Sequence, residues 1–318
     1  MSRNRDIKAS EPAEAARTPA PTHTDAIVAV HQQMLAKSPA HRRHIAAGSG
    51  HQIHVIEAGE GPPLVLLHGS GPTSLMFLPL IERLTGLRAI AVDRPGFGLS
   101  DPIDLPLPRY REAVIEYLDS ILDALGLDQT SLLGSSIGGT WAVWYALAHP
   151  NRLRRLVLLG APPLLPGTRV PPVLRLIFAP RVAEYLSRRT PWTAKSVVDH
   201  MAVMGEGDTI LNYPHQIQAL VAGGRDPLAA AAGLAEHRVY ITPFGFRRAL
   251  KMQREELQQL TAPTLLIWGE HDPLGSAKTA RGIADALPHA HLEMLPAGHG
   301  PWLGHPDRTA HLVSNFVR

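Results

Sequence analysis

Gly134, Ser136 and Gly138 form the pattern G-x-S-x-G within the stretch LLGSSIGGTWA. This spacing serves nucleophilic attack. It raises a serine on a sharp strand-to-helix turn, between residues small enough for the backbone to fold tightly and the next helix to pack close. Register decides between the two adjacent serines: Ser135 as nucleophile would put Leu133 and Ile137 at the crowded positions, so Ser136 is the candidate. A serine hydroxyl is a poor nucleophile at neutral pH. It needs a base to take its proton and a carboxylate to hold that base.

Those partners have to be delivered by the ends of strands. Short apolar runs recur along the chain: PLVLLHG, RAIAVD, TSLLG, RLVLLG, PTLLIWG and HLEMLP. Helix-length segments separate most of them, such as RYREAVIEYLDSILDALG, with apolar residues at helical spacing from Val114 to Leu125. Alternating strand and helix predict a mainly parallel sheet covered on both faces. Ligands of such sheets bind beyond the carboxyl ends of the strands, so functional residues belong just after the apolar runs. Ser136 follows TSLLG, and the helix-like IGGTWAVWYALAHP follows it.

Of 17 histidines, His299 in LPAGHGPW lies in a glycine-flanked loop directly after the last apolar run. His289, His291 and His305 fall before or well after that turn. For the carboxylate, LLIWGEHDPLG offers Glu270 and Asp272, and the proline after Asp272 stiffens its turn. Asp272 is the choice, giving the chain order Ser, Asp, His. Acyl transfer also needs donors for the oxyanion. The backbone amide of Ile137, just after the nucleophile, is one, and the amide of Ser70 in LLHGSGPTS, between Gly69 and Gly71, is the other.

Elsewhere the sequence sets limits. An apolar fraction of 45% supports a substantial core, and with a formal charge of +3 and scattered basic residues there is no footprint of nucleic-acid binding. With no cysteine, disulfides, thiolate metal sites and a cysteine nucleophile are excluded. Residues 1–24 carry Ala, Pro, Glu and Arg without apolar periodicity and read as a disordered leader. Neither a signal segment nor a membrane span is evident, so a soluble cytoplasmic protein without membrane partner is the expectation. Between RLVLLG and PTLLIWG the alternation breaks for about a hundred residues that hold several helix-like pieces, too long for an unstructured loop. This predicts a helical insertion, residues 162–258, over one end of a core built from 25–161 and 259–318.

The segments LLHGSGP, DRPGFGLSD, GSSIGG, WGEHD and AGHGPW, in this order, resemble the landmarks of the α/β-hydrolase superfamily, from about residue 42 to the C-terminus. The resemblance implies an eight-stranded, mostly parallel sheet, a helical cap inserted after the sixth strand, and no cofactor or metal. It also implies that DRPGFGLSD is a structural turn, with no chemistry at Asp93 or Arg94. Members with a carboxylate nucleophile, such as haloalkane dehalogenases and epoxide hydrolases, carry Asp where this chain has Ser136. The HGSGP loop looks like that of serine hydrolases cleaving carbon–carbon bonds in ring-fission products. Those enzymes often have Asn where this chain has Ser135, and usually a tryptophan next to the catalytic histidine, where this chain has Gly300 with Trp302 nearby. The sequence therefore favours hydrolysis of small to medium apolar carboxylic esters, with carbon–carbon hydrolysis second and non-enzymatic ligand binding as a third reading.

Overall fold

The computed structural model describes residues 23–48, 50–177, 182, 185, 189 and 191–318. The first 22 residues of the expected leader lie outside this range.

Eight strands form one sheet. They are β1 (His41–Ala47), β2 (His51–Ala58), β3 (Pro63–Leu67), β4 (Arg88–Val92), β5 (Thr130–Ser135), β6 (Leu153–Leu159), β9 (Thr264–Gly269) and β10 (Ala290–Leu295); β7 (Ile241–Thr242) and β8 (Gly245–Phe246) form a separate small hairpin. The order is β1-β2-β4-β3-β5-β6-β9-β10. Only β2 runs antiparallel to its neighbours, and every other pairing is parallel. The mostly parallel, eight-stranded α/β architecture expected from the sequence is the one observed.

Parallel strands need cover on both faces, and the side-chain alternation supplies it. Val65, Leu67, Ile90, Val92, Leu132 and Leu158 point to one core, shared with the helices Tyr110–Ala124 and Ile137–Ala148. Their neighbours Leu64, Leu66, Ala89, Ala91, Leu133 and Leu159 point to the other, shared with the helices Leu78–Ile81 and Pro306–Val317. From β3 the chain crosses to β4 on one side, and β5 then takes its place on the other side of β3. This reversal makes the carboxyl ends of β3 and β5 a topological switch point, the usual ligand position in an open sheet.

Between β6 and β9 lie the helices Pro172–Ile177, Ala194–Val203, Gly207–Ile210, Pro214–Arg225 and Pro227–Tyr240. Asp226 caps the last of these, its carboxylate accepting from the amides of Leu228 and Ala229 at 3.0 Å each. The same carboxylate takes the Thr24 amide at 2.8 Å and His23 Nδ1 at 3.1 Å, so the last two residues of the expected leader are tied to this segment. The helix Asp25–Leu35 then packs on Pro214–Arg225. Its His31 is fully buried, and neither ring nitrogen has a hydrogen-bond partner among the described residues. His31 meets His54 edge to face, ring centroids 5.0 Å apart. His54 Nδ1 donates to Asp93 Oδ2 at 2.7 Å. The Asp93 carboxylate also accepts the Ser74 amide at 2.7 Å and the Leu99 amide at 3.1 Å, which makes it the clasp of the DRPGFGLS turn. Among the described residues, no helix is long and apolar enough to cross a membrane.

Candidate active site

Ser135 is the last residue of β5, and Ser136 begins the turn into the helix Ile137–Ala148. Ser136 has φ 53° and ψ −126°, a left-handed conformation that costs a non-glycine residue ~1–3 kcal/mol and is kept only where its surroundings impose it. The glycines of the motif impose it. A Cβ on Gly134 would lie 2.4 Å from the Gly138 carbonyl oxygen and 2.4 Å from the Gly139 Cα, and one on Gly138 would lie 2.3 Å from the Leu67 carbonyl oxygen. Strand and helix are too close for any side chain at either position.

The loop after β3 closes on the serine. A Cβ on Gly69 would stand 3.1 Å from Ser136 Cβ and 3.7 Å from its Oγ. His68 sets that loop: its Nδ1 donates to the Gly69 carbonyl at 2.7 Å, and its Nε2 accepts the Arg94 amide at 2.9 Å, which fixes a neutral imidazole. Burial pushes the His68 pKa down to about 4, and the Arg94 charge acts in the same sense. Ser70 follows, and its hydroxyl bonds Glu236 and, at 2.9 Å, the Tyr240 hydroxyl. Glu236 pairs with the fully buried Arg94, whose guanidinium also donates to the Gly69 carbonyl at 2.9 Å and stacks on Trp141 at 4.6 Å. Arg94 and Glu236 thus brace the loop from beneath and from the inserted helix Pro227–Tyr240.

On the other side of the serine, its amide donates to the Leu159 carbonyl at 3.3 Å, and the next residue, Gly160, abuts His299. A Cβ on Gly160 would meet the His299 carbonyl at 2.3 Å and its Nδ1 at 3.3 Å. Asp272 Oδ2 accepts from His299 Nδ1 at 2.8 Å and from the Ala161 amide at 2.8 Å, while its Oδ1 accepts the Leu274 amide at 2.9 Å. Asp272 is buried and Glu270 exposed. His299 Nε2 is buried with no partner among the described residues, leaving its lone pair for a proton. Burial disfavours the imidazolium, but the Asp272 carboxylate, by its charge and hydrogen bond, and Glu206 more than offset this. The His299 pKa accordingly lies above the ordinary histidine value.

The structure thus brings Ser136, Asp272, His299, Ser70 and Ile137, which follow the carboxyl ends of β3, β5, β9 and β10, to one end of the sheet. Ile137 opens its helix, where first-turn amides have no acceptor within the helix. His289 and His291 are exposed, and His305 Nε2 faces the Pro296 carbonyl at 3.3 Å. Of the arginines on the inserted segment, Arg175 and Arg225 bond the carbonyls of Val170 and Trp192 at 3.0 and 2.8 Å. Glu206, Glu236 and Tyr240 escaped the sequence reading because no motif marks them: each lies in the insertion and reaches the site only through the fold.

Residues 62–306 match the family described as α/β hydrolase fold. The chain is similar to a pimeloyl-[acyl-carrier protein] methyl ester esterase of Shewanella sp. (strain MR-7), 29% identical over 89% of this chain and 98% of the relative. It is 30% identical to a 2-hydroxy-6-oxononadienedioate/2-hydroxy-6-oxononatrienedioate hydrolase of Dechloromonas aromatica (strain RCB), over 84% of this chain and 90% of that one. Among solved structures, a carboxylesterase from Bacillus subtilis shares the fold with a TM-score of 0.69 at 24% identity, over 92% of this chain and 98% of that chain. A family match across most of the length, on a sheet of this order, places the chain in the α/β-hydrolase fold family.

Proposed function

We propose that the protein is a serine hydrolase that cleaves carboxylic esters of small to medium apolar acids through an acyl-enzyme. The observation that carries this reading is the His299–Asp272 pair, bonded at 2.8 Å, beside a serine held in a strained turn between two glycine-lined loops. Ser136 Oγ attacks the ester carbonyl carbon while His299 Nε2 takes its proton, and Asp272 stabilises the imidazolium that forms. The negative charge moves to the carbonyl oxygen, where the amides of Ile137 and Ser70 receive it. Collapse of this intermediate expels the alcohol, which takes the proton from His299. Water then repeats the sequence on the acyl-serine, giving up a proton to His299, and the carboxylic acid leaves as Ser136 regains its hydrogen. The chemistry so written asks nothing of a metal or cofactor.

Residues 162–258 act as a cap over a core formed by 25–161 and 259–318. The ties from Glu236 to Ser70 and Arg94 support this reading, since they place the inserted helix beside the oxyanion loop. A relative named for a methyl ester esterase favours an ester with an apolar acyl chain and a small alcohol. The second reading, hydrolysis of a carbon–carbon bond in a vinylogous diketone acid, is favoured by the relative named for that class and by the HGSGP loop. Assaying a p-nitrophenyl ester of a short fatty acid and a ring-fission diketone acid on one preparation separates them. Ester hydrolysis predicts the higher kcat/KM for the former, and preference for the diketone acid by orders of magnitude would reverse the assignment.

A further inference from the structure

The turn Met204–Gly205–Glu206, in the inserted segment, interlocks with the loop that carries His299. The His299 amide donates to the Met204 carbonyl at 2.9 Å, and the Gly300 amide donates to Glu206 Oε1 at 2.9 Å. The two backbones touch through glycines. A Cβ on Gly298 would lie 2.5 Å from the Met204 carbonyl oxygen, and one on Gly205, at φ +78°, would lie 3.0 Å from Gly298 Cα. Glu206 is only 1% exposed, and its Oε2 has no partner among the described residues. The Thr209 hydroxyl and the Gly298 amide also act on this carboxylate, yet burial outweighs them. A charge buried there is costly, and clamping the Gly300 amide needs none, since a glutamine oxygen would accept as well.

We propose that Glu206 is a positioning residue for His299, fixing its loop through the Gly300 amide and supplying a second negative charge that supports the imidazolium. The proposal rests on the reading of His299 as the proton-transferring base. Among the described residues, three titratable groups act on that imidazole from the surrounding elements: Asp272 after β9, Glu206 from the inserted turn, and His200 on the helix Ala194–Val203. Asp272 binds Nδ1 directly. His200 is held below its ordinary pKa by burial, with His299 adding to the effect, so it brings no positive charge at neutral pH. Among the described residues, Glu206 is therefore the one group besides Asp272 that favours the protonated ring, and it comes from the inserted segment rather than the core. Burial raises the pKa of Glu206 itself above the ordinary carboxylate value, against the hydrogen bonds that favour its charged form, so the charge it lends the ring weakens toward acid. In this arrangement the cap takes part in setting the strength of the base as well as admitting substrate.

The variants Glu206→Gln and Glu206→Ala test this in the full chain. Glutamine keeps an acceptor for the Gly300 amide and removes the charge, whereas alanine removes both. Two readouts apply: the pH profile of kcat/KM on a p-nitrophenyl ester, and the NMR titration midpoint of the His299 ring, assigned by its loss in His299→Gln. Glu206→Gln is expected to lower both the acid limb and the ring midpoint by about half a pH unit, the scale of losing one nearby buried charge. Glu206→Ala is expected to do the same and also to lower the alkaline plateau, about ten-fold, by releasing the loop. A His299 midpoint unchanged in Glu206→Gln overturns the proposal. If the wild-type protein turned over no ester, the hydrolase reading would fall, while the ring midpoint would still decide what Glu206 does.

Discussion

In the mechanism proposed, Ser136, His299 and Asp272 are worth little apart, because proton removal, charge stabilisation and attack occur in one transition state. Ser136→Ala and His299→Ala are each expected to lower kcat by about 10³–10⁶, as for groups that act as a unit, measured with enzyme in excess to exclude contaminant turnover. Asp272→Asn should cost about 10⁴, since the amide presents the wrong partner to His299 Nδ1. Ser135→Ala should be mild, as Ser135 closes β5 rather than opening the turn. The direction of the His299 shift gives a second expectation. Its imidazole has to be neutral to accept a proton and its pKa is raised, so kcat/KM should fall as pH drops through a midpoint above the ordinary 6.5. A limb well below that value would mean that Asp272 and Glu206 do not govern the ring.

Among the elements, the β5 turn and the two loops that close on it are specified by glycines whose absent side chains leave room for backbone. Gly134→Ala would bring its Cβ within 2.4 Å of the Gly138 carbonyl and is expected to destabilise the fold by about 1–3 kcal/mol, read as a lower denaturant midpoint, with loss of turnover even where folding persists. Much of this layer was legible in the sequence. Apolar runs of strand length, the register of G-x-S-x-G, and the position of Asp272 and His299 just past strand ends follow from local pattern and from the rule that parallel sheets work at their carboxyl edge. What stayed hidden depends on contacts far apart in the chain. Arg94 reads as part of a structural turn, and only the fold shows it bracing Gly69 and meeting Glu236 from the insertion. Glu206 and Glu236 are ordinary helix-segment acids until the insertion folds back on the core. His23 and Thr24 sit in a tract without apolar period, yet Asp226 binds both, because hydrogen bonding rather than burial holds them.

For the whole molecule, buried neutral histidines set the acid limit. His31 and His68 are both held down to about 4, each chiefly by burial, whereas the unfolded chain protonates them near 6.5. The unfolded state thus binds more protons between these values, so their contribution to stability is present above pH 6.5 and is lost as pH falls toward 4. Thermal melting should therefore decline steeply from neutral pH to pH 5, and His31→Leu, which removes two ring nitrogens without a hydrogen-bond partner among the described residues, should flatten that decline. The helix bearing His31 packs on the inserted segment, so its release would loosen that segment as well as the sheet edge. At the centre of the proposed mechanism stands Ser136, presented by the fold as a nucleophile. The most direct test is to treat the folded protein with a fluorophosphonate probe and locate the adduct by peptide mass spectrometry. The account predicts a single adduct on Ser136, lost in Ser136→Ala and slowed in His299→Ala; an adduct on Ser135, or ester turnover undiminished in a protein whose Ser136 is fully blocked, would contradict it.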